Sequence, residues 1–503
     1  MSFYCGKLCS LILAEHFGSI IQTVGDSMFK NGTQTLGFIR STVRLPVPKV
    51  KESLCVLIKH GLVTHEQTEK GMTYTLHHDR VTMMLRYSRY MYFVKTCCGD
   101  EGEMILEEIL RHGCDTASKV IIRTYQRLKQ ASRKCLEDQQ VTVEFLKDKF
   151  ELLVKNQFLM RSLSTDTVAE VPTDKPDYDL PDLNLAAMNK IIAGNTADAG
   201  DGNVYWKVNF DRLIQDLRDQ IIVQATTRIL DENAGELMRQ LLFLMYIRTA
   251  SWADTSNPIP FTEIKDSVRK LDIPTLYQYS DQYLRLIEED SSQFLKRVGD
   301  SGGGQFSVNM KEAFAQLAWV TVGNIVMERF GSKAARIFRL VRSRQFVEIE
   351  QIQQLAMIPA KESKHLTYTL LQENYLQMQE MKKVGIAAAP TKAFFLFHID
   401  LNQVVRMEIE HCYQALYNIM FRREHESAVN RRMIDKQMRM QTLTSNLKEH
   451  GATEEQLTEI AEMMTPSEKQ QLDKVQTVIN KLGGAELQSE ETLFLLKMYQ
   501  RYH

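Results

Sequence analysis

LCVLIKHGLVTHEQTEKGMTYTL, residues 54–76, decides how this chain is read. Leu54, Leu57 and Ile58 fall three and four apart, the spacing of a buried helix face. Gly61 stops that helix. Beyond Leu62 the pattern is extended, and Lys70-Gly71 turns it back as a ribbon ending at Leu76. The same succession returns in FELLVKNQFLMRSLS (150–164), in YLRLIEEDSSQFLKRVGDSGGGQFSV (283–308) and in YTLLQENYLQMQEMKKVGIAAAPTKAFFLFHI (368–399). A glycine-bearing tip and a returning strand follow in three of the four copies.

Two further helices precede the first copy. One runs from near Lys7 through Leu8, Leu11, Ile12 and Phe17, and one covers Leu36–Thr42. Pro46 and Pro48 start the third, where a missing amide donor costs nothing. Helix, helix, helix and ribbon make a winged helix, a variant of helix-turn-helix. The expected fold is mainly α with small β wings: four tandem extended winged helices followed by a C-terminal helical coiled-coil hairpin. The expected boundaries are 1–80 and 81–165 for the first two, a flexible linker at 166–203, then 204–308 and 309–400. The linker holds Pro172, Pro176 and Pro181 and the tail AGNTADAGDGN, without a sustained apolar period. VYWKVNF (204–210) alternates like a strand and could also extend the second unit's ribbon. In the fourth unit, Gly331 marks the break after the leading helix.

Residues 401–484 change character. Val405, Ile409, Cys412, Leu416 and Ile419 keep a 4-3-4-3 spacing, a coiled-coil seam that Arg423 interrupts. GATEE (451–455) reads as a turn, and Leu472, Val475, Ile479 and Leu482 as the returning seam. A separate last helix at 485–503 carries Leu493, Phe494 and Leu496, expected to dock on the protein or on a partner.

Length and composition allow several domains of ordinary soluble character: 503 residues, 44% hydrophobic and 25% charged. A formal net charge of -1 means that the chain as a whole does not attract polyanions, so any nucleic-acid contact must come from local patches. Of the eight cysteines, none forms a C-x-x-C pair, and reduced, buried thiols are expected. The chain shows no signal peptide and no run of about 18 apolar residues, so an intracellular protein away from membranes is expected.

The basic faces follow the winged helices. The first recognition helix carries Lys49, Lys51 and Lys59, with Lys70 at the wing tip. The second unit is the most basic: Arg123, Arg127, Lys129 and Arg133 on one helix, Lys147 and Lys149 on the next. The fourth has Lys361 and Lys364 on its recognition helix, Lys382 and Lys383 in its wing, and Arg336, Arg339, Arg342 and Arg344 near its leading helix. Each could neutralise a phosphate and make binding salt-dependent; each could equally be a solvated face. Glu288, Glu289 and Asp290 at the end of the third recognition helix would repel phosphate, so a protein partner is expected there.

GDSGGG (299–304) matches the sequence context of a serine-protease nucleophile. That chemistry needs a histidine base, a buried aspartate and an oxyanion hole from elsewhere. None of the twelve histidines sits in a matching context, and a wing turn is the simpler reading. There is no P-loop, no dinucleotide fingerprint and no H-E-x-x-H.

The stretches KLCSLILAEHFG (7–18), LRYSRYMY (85–92), VYWKVNFDR (204–212), GDSGGG (299–304), ERFGSKAARIFRLV (328–341), AMIPAKE (356–362) and ETLFLLKMY (491–499) follow one family's order across nearly the whole chain. The chain resembles the large winged-helix subunits of the heterotrimer found only in RNA polymerase III, relatives of the large subunit of general initiation factor E. The resemblance implies a non-catalytic subunit beside the clamp that supports promoter-dependent initiation and DNA opening. The partners it implies are the core and clamp subunits, two companion subunits, initiation factors and DNA. It implies a nuclear location, and no cofactor, metal or catalytic residue in this chain. Some relatives carry a basic, nuclear-signal-like run in the linker; here that segment is acidic and polar. The rival readings are a free-standing DNA-binding regulator and, from another class, a hydrolase using Ser301.

Overall fold

The computed structural model describes residues 2–68, 71–134, 142–162, 178–195, 199–271, 273–382, 393–449 and 463–503. The first winged helix begins with α1 (Phe3–Phe17) and α2 (Ser19–Asn31), then β1 (Gln34–Thr35), α3 (Leu36–Val43), α4 (Val47–Lys59), β2 (Val63–Thr68) and β3 (Gly71–Leu76). The second has α5 (His78–Thr82), α6 (Tyr87–Cys98), α7 (Asp100–His112), β4 (Asp115–Thr116), α8 (Ala117–Lys134), α9 (Val143–Lys155) and β5 (Leu159–Arg161). It then has α10 (Leu185–Ile192) and β6 (Tyr205–Val208). The third runs α11 (Phe210–Ile229), α12 (Glu232–Arg248), β7 (Ile259–Pro260), α13 (Phe261–Arg269), α14 (Pro274–Glu289), β8 (Leu295–Gly299) and β9 (Gln305–Val308). The fourth runs α15 (Met310–Arg344), β10 (Val347–Glu348), α16 (Ile349–Ala356), α17 (Ala360–Gln372), β11 (Gln377–Lys382) and β12 (Ala393–His398). The C-terminal helices are α18 (Leu401–Val429), α19 (Arg431–Glu449) and α20 (Pro466–Tyr502).

Each of the four sheets has three antiparallel strands with the last strand of its set in the centre: β1-β3-β2, β4-β6-β5, β7-β9-β8 and β10-β12-β11. The second sheet explains why only three copies showed a returning strand. Its central strand, β6, arrives after the 166–203 segment: Asp115 pairs with Trp206 and Leu159 with Val208. Residues 204–210, placed at the start of the third unit, therefore supply the strand that closes the second sheet. The 166–203 segment, expected to lack regular structure, contains α10, whose Met188 is fully buried.

Two local devices repeat. Every recognition helix is followed by a residue with positive φ: Gly61, Gln157, Gln293 and Asn374. In three of them the next amide bonds back to the last helical turn, Leu62 N to Leu57 O at 2.9 Å, Phe158 N to Leu153 O at 3.0 Å and Tyr375 N to Leu370 O at 2.9 Å. This is the Schellman arrangement, and the residue after it is buried in each case. The second device is a glycine hinge between paired helices. Gly18, Gly99 and Gly331 have φ of 88°, 86° and 84° with ψ near 180°, a region essentially closed to side chains with a Cβ. Gly331 thus breaks α15 where the sequence placed the end of the leading helix.

The chain divides into two compact units, Met1–Gln215 with Gln414–Leu487, and Asp216–Tyr413 with Gln488–His503. In the first, Leu8, Ile12, Leu57, Ile105, Phe150 and Trp206 are fully buried. Arg423, which interrupts the apolar seam, forks onto Glu15 with two bonds of 3.0 Å and lies 3.4 Å from Glu486. In the second unit, Phe306, Phe314, Phe338 and Phe397 are fully buried. Tyr375 is buried there too, bonded by Arg329 at 2.8 Å and donating to the buried Glu408. The turn expected at 451–455 lies outside the described residues.

Candidate nucleic-acid interface

The first recognition helix, α4, buries Val50, Ser53, Leu54 and Leu57. Outside that stripe Lys49, Lys51 and Lys59 are all exposed, Lys49 and Lys51 flanking Val50, and none has an ion-pair partner among the described residues. Lys70 lies outside the described residues. On α17, Ser363, Thr367 and Leu370 are buried. Lys361, Lys364 and His365 are exposed beside Tyr368, 52% exposed. Sequence reasoning missed Tyr368; its signal was an aromatic one turn beyond Lys364, on the face opposite the buried positions. Lys383 and the side chain of Lys382 lie outside the described residues.

The second unit, the most basic in sequence, is largely neutralised from within. Arg123 Nη1 donates to Asp115 Oδ2 at 2.7 Å, and Asp115 is buried. Arg127 donates to the buried Glu108 and, at 3.0 Å, to Glu107 Oε2. Lys147 lies 3.8 Å from Glu151. Lys149 donates to Cys98 O at 2.8 Å, closing the end of α6. Arg123, Arg127, Lys147 and Lys149 are therefore tied to acids or backbone of their own unit. Lys129 is exposed, with its Nζ 5.7 Å from the Tyr125 ring centroid; the Arg133 side chain lies outside the described residues. In the fourth unit Arg336 donates to Ala356 O at 3.2 Å and Arg342 to Gln316 Oε1 at 2.6 Å, while Arg339 and Arg344 are exposed.

Residues 7–67 match the RNA polymerase III subunit RPC82 helix-turn-helix domain, and 122–317 match RNA polymerase III subunit RPC82. Residues 322–399 match the POLR3C C-terminal winged-helix domain, and 432–495 the helical hairpin domain of DNA-directed RNA polymerase III subunit RPC3. RNA polymerase III subunit RPC3 of Rattus norvegicus is 36% identical over 98% of this chain and 97% of its own length. The Homo sapiens protein is 35% identical over the same shares. The Dictyostelium discoideum protein is 23% identical over 47% of this chain and 37% of its own.

The chain belongs to the RPC3 family.

It is a non-catalytic subunit of RNA polymerase III. The GDSGGG stretch is a wing turn between β8 and β9. Ser301 begins a short 3-10 turn between β8 and β9, and its carbonyl accepts from Gly304 N at 3.3 Å. The RPC3 hairpin match runs past residue 484, and α20 is one helix there: the separate last helix expected at 485–503 is its C-terminal half. Leu493, Phe494 and Leu496 are 1%, 3% and 0% exposed. They dock on their own chain and are not free to receive a partner. The reason is packing within the second unit. Tyr499 OH donates to Asn402 Oδ1 at 3.0 Å, and the Tyr502 ring stacks on Phe314 at 5.6 Å.

At the end of α4, His60 lies edge-on to Phe17 at 4.9 Å. Burial, then the charges of Lys59, His112 and His16, lowers its pKa to about 4. The unfolded imidazole takes a proton below its ordinary 6.5; the folded one does not until about 4. Stability is therefore unaffected above pH 6.5 and falls as pH drops from 6.5 towards 4, by on the order of 2–3 kcal/mol. Urea unfolding at pH 7.0, 5.5 and 4.5 should show that loss, and His60→Gln should flatten it. An unchanged pH slope in the variant would assign the acid sensitivity to other groups.

Proposed function

We propose that this subunit guides DNA within RNA polymerase III through phosphate contacts made by the first and fourth recognition helices, without reading bases. The observation that carries this reading is the contrast in pairing. Lys49, Lys51, Lys361 and Lys364 stand exposed and unpaired among the described residues, whereas Arg123 and Arg127 are held by buried acids. Only an unpaired cation can exchange its counterion for a phosphate without first breaking an ion pair. Neighbours of this subunit would be the core and clamp subunits, two companion subunits and initiation factors, in the nucleus, where it would support promoter-dependent initiation and DNA opening. The acidic end of α14 suits a protein neighbour better than DNA.

The test is the salt dependence of binding. Fluorescence anisotropy of the full chain with a labelled duplex between 50 and 200 mM salt gives the slope of log K against log salt. Changing Lys49, Lys51, Lys361 and Lys364 to Gln should make that slope shallower by about 3–4, near 0.9 per phosphate lost. Arg127→Gln should lower the unfolding temperature and leave the slope alone. An unchanged slope in the four-lysine variant would sink the reading.

A further inference from the structure

Among the described residues, the seam between the first two winged helices holds three cations with no acid in ion-pair contact. Gly113 lies directly against the end of α4: a Cβ there would meet Lys59 O at 2.6 Å and His60 N at 3.0 Å. That close approach sets Lys59 beside the start of β4. The register that pairs Asp115 with Trp206 brings Cys114 alongside Lys207 on β6. From α5, Arg80 Nη1 donates to Gly61 O at 2.6 Å, which fixes its guanidinium two residues past Lys59. Among the described residues none of Lys59, Arg80 and Lys207 has a carboxylate within ion-pair distance. Asp115, the nearest acid in sequence to Cys114, is occupied by Arg123 at 2.7 Å and Lys119 at 3.8 Å.

Lys207 is half-buried. Its ammonium is pushed below the ordinary lysine range, first by burial and then by the charge of Arg80. Elsewhere in this unit partly buried cations have acids: Arg127 has Glu107 and Glu108, Lys149 has Glu101, and Arg423 has Glu15 and Glu486. A partly desolvated cation beside a second cation opposes folding. Such an arrangement is compensated when an anion arrives.

We propose that Lys59, Arg80 and Lys207 form a phosphate-binding site at the seam of the first two winged helices, which receives consecutive phosphates of a nucleic-acid backbone. The chemistry is that of a linear polyanion. Lys51 and Lys59 lie about two turns apart on α4, Arg80 is held at the end of that helix by Gly61 O, and Lys207 stands on β6 opposite Cys114. Single charges contributed separately by two domains fit a phosphodiester chain. This site rests on the proposal that the subunit touches DNA, and extends it to residues away from the recognition helices' centres.

The experiment uses the full chain, a fluorescein-labelled duplex and the double variant Arg80→Gln/Lys207→Gln, with the four-lysine variant above as the reference. The double variant should make the salt slope shallower by about 2, and Lys207→Arg alone should leave it unchanged. The unfolding temperature of Lys207→Gln alone should hold or rise, because a partly desolvated charge has been removed. Loss of slope in the reference variant with none in the double variant would overturn the seam site and leave the broader reading standing. No change in either would overturn both. A fall in unfolding temperature would make these residues structural and overturn the site. So would a double variant that loses binding to labelled poly-glutamate but keeps binding to DNA, since that assigns the seam to an acidic protein segment.

Discussion

Removing residues 493–503 should lower the stability of the second unit by well over about 5 kcal/mol. Leu493, Phe494, Leu496, Met498, Tyr499 and Tyr502 are each no more than 5% exposed. A fully buried side chain of this kind contributes about 1.5–3 kcal/mol, and the sum remains large after allowance for a compact unfolded chain. The deletion also strips a partner from Arg218. That guanidinium is 3% exposed and is held by Asp219 Oδ1 at 2.8 Å, Ser251 O at 3.1 Å and Tyr502 OH at 2.9 Å. A buried cation that loses one of three acceptors destabilises by about 1–3 kcal/mol. Tyr502→Phe isolates that part: it keeps the stack on Phe314 and removes the hydroxyl, so about 1–2 kcal/mol should go. Urea unfolding of the three proteins, followed by circular dichroism, gives the order wild type, Tyr502→Phe, truncation. A truncated chain that unfolds at the wild-type midpoint would return residues 493–496 to the role of a partner-docking segment.

Trp206→Ala should cost about 3–5 kcal/mol and abolish cooperative unfolding of the second winged helix. Trp206 is fully buried on the central strand of its sheet, edge-on to Phe150 at 5.7 Å. Its indole Nε1 is buried with no hydrogen-bond partner among the described residues. An unsatisfied buried donor carries its own desolvation penalty, so Trp206→Phe should cost much less than the loss of ring volume alone suggests. A Phe variant as unstable as the Ala variant would show that the indole nitrogen has a partner in solution, an ordered water being the simplest.

Four recognition helices and three of the four ribbons were legible because burial imposes its period directly on sequence; the second ribbon was not, because its return strand arrives only at Tyr205–Val208. The αL stop was read only at Gly61, where glycine announces it; Asn374 carries a weaker form of the same signal, and Gln157 and Gln293 reach the same backbone region without a distinctive residue. α2 was missed because its buried face is not an apolar stripe: Gly25 and Ser27 are buried beside Val24 and Met28, while the apolar Ile20 is 42% exposed. In the second unit the packing pairs cations that the sequence alone leaves open. Arg123 and Arg127 look like a basic face in isolation, and their neutralising acids, Asp115, Glu107 and Glu108, sit on the preceding elements. The packing of α7 on α8 brings Glu107 and Glu108 to Arg127, and Asp115 reaches Arg123 from β4. Leu493, Phe494 and Leu496 carried an ambiguous message for the same reason: apolarity specifies burial, and the location of the covering surface is a tertiary fact. Arg80 and Lys207 gave no sequence signal at all, since each is a single cation among residues of other kinds.

The late arrival of β6 has a consequence for synthesis. The first sheet is complete once Leu76 has left the ribosome, because β1, β2 and β3 are near neighbours in the chain. The second sheet waits for Tyr205–Val208, although its other two strands end at Arg161. At about 5–20 residues per second the nascent chain spends seconds with Phe150 lacking the indole that covers it. During that interval the unit needs shielding, so this winged helix, among the four, is the one whose maturation a ribosome-associated chaperone would most affect.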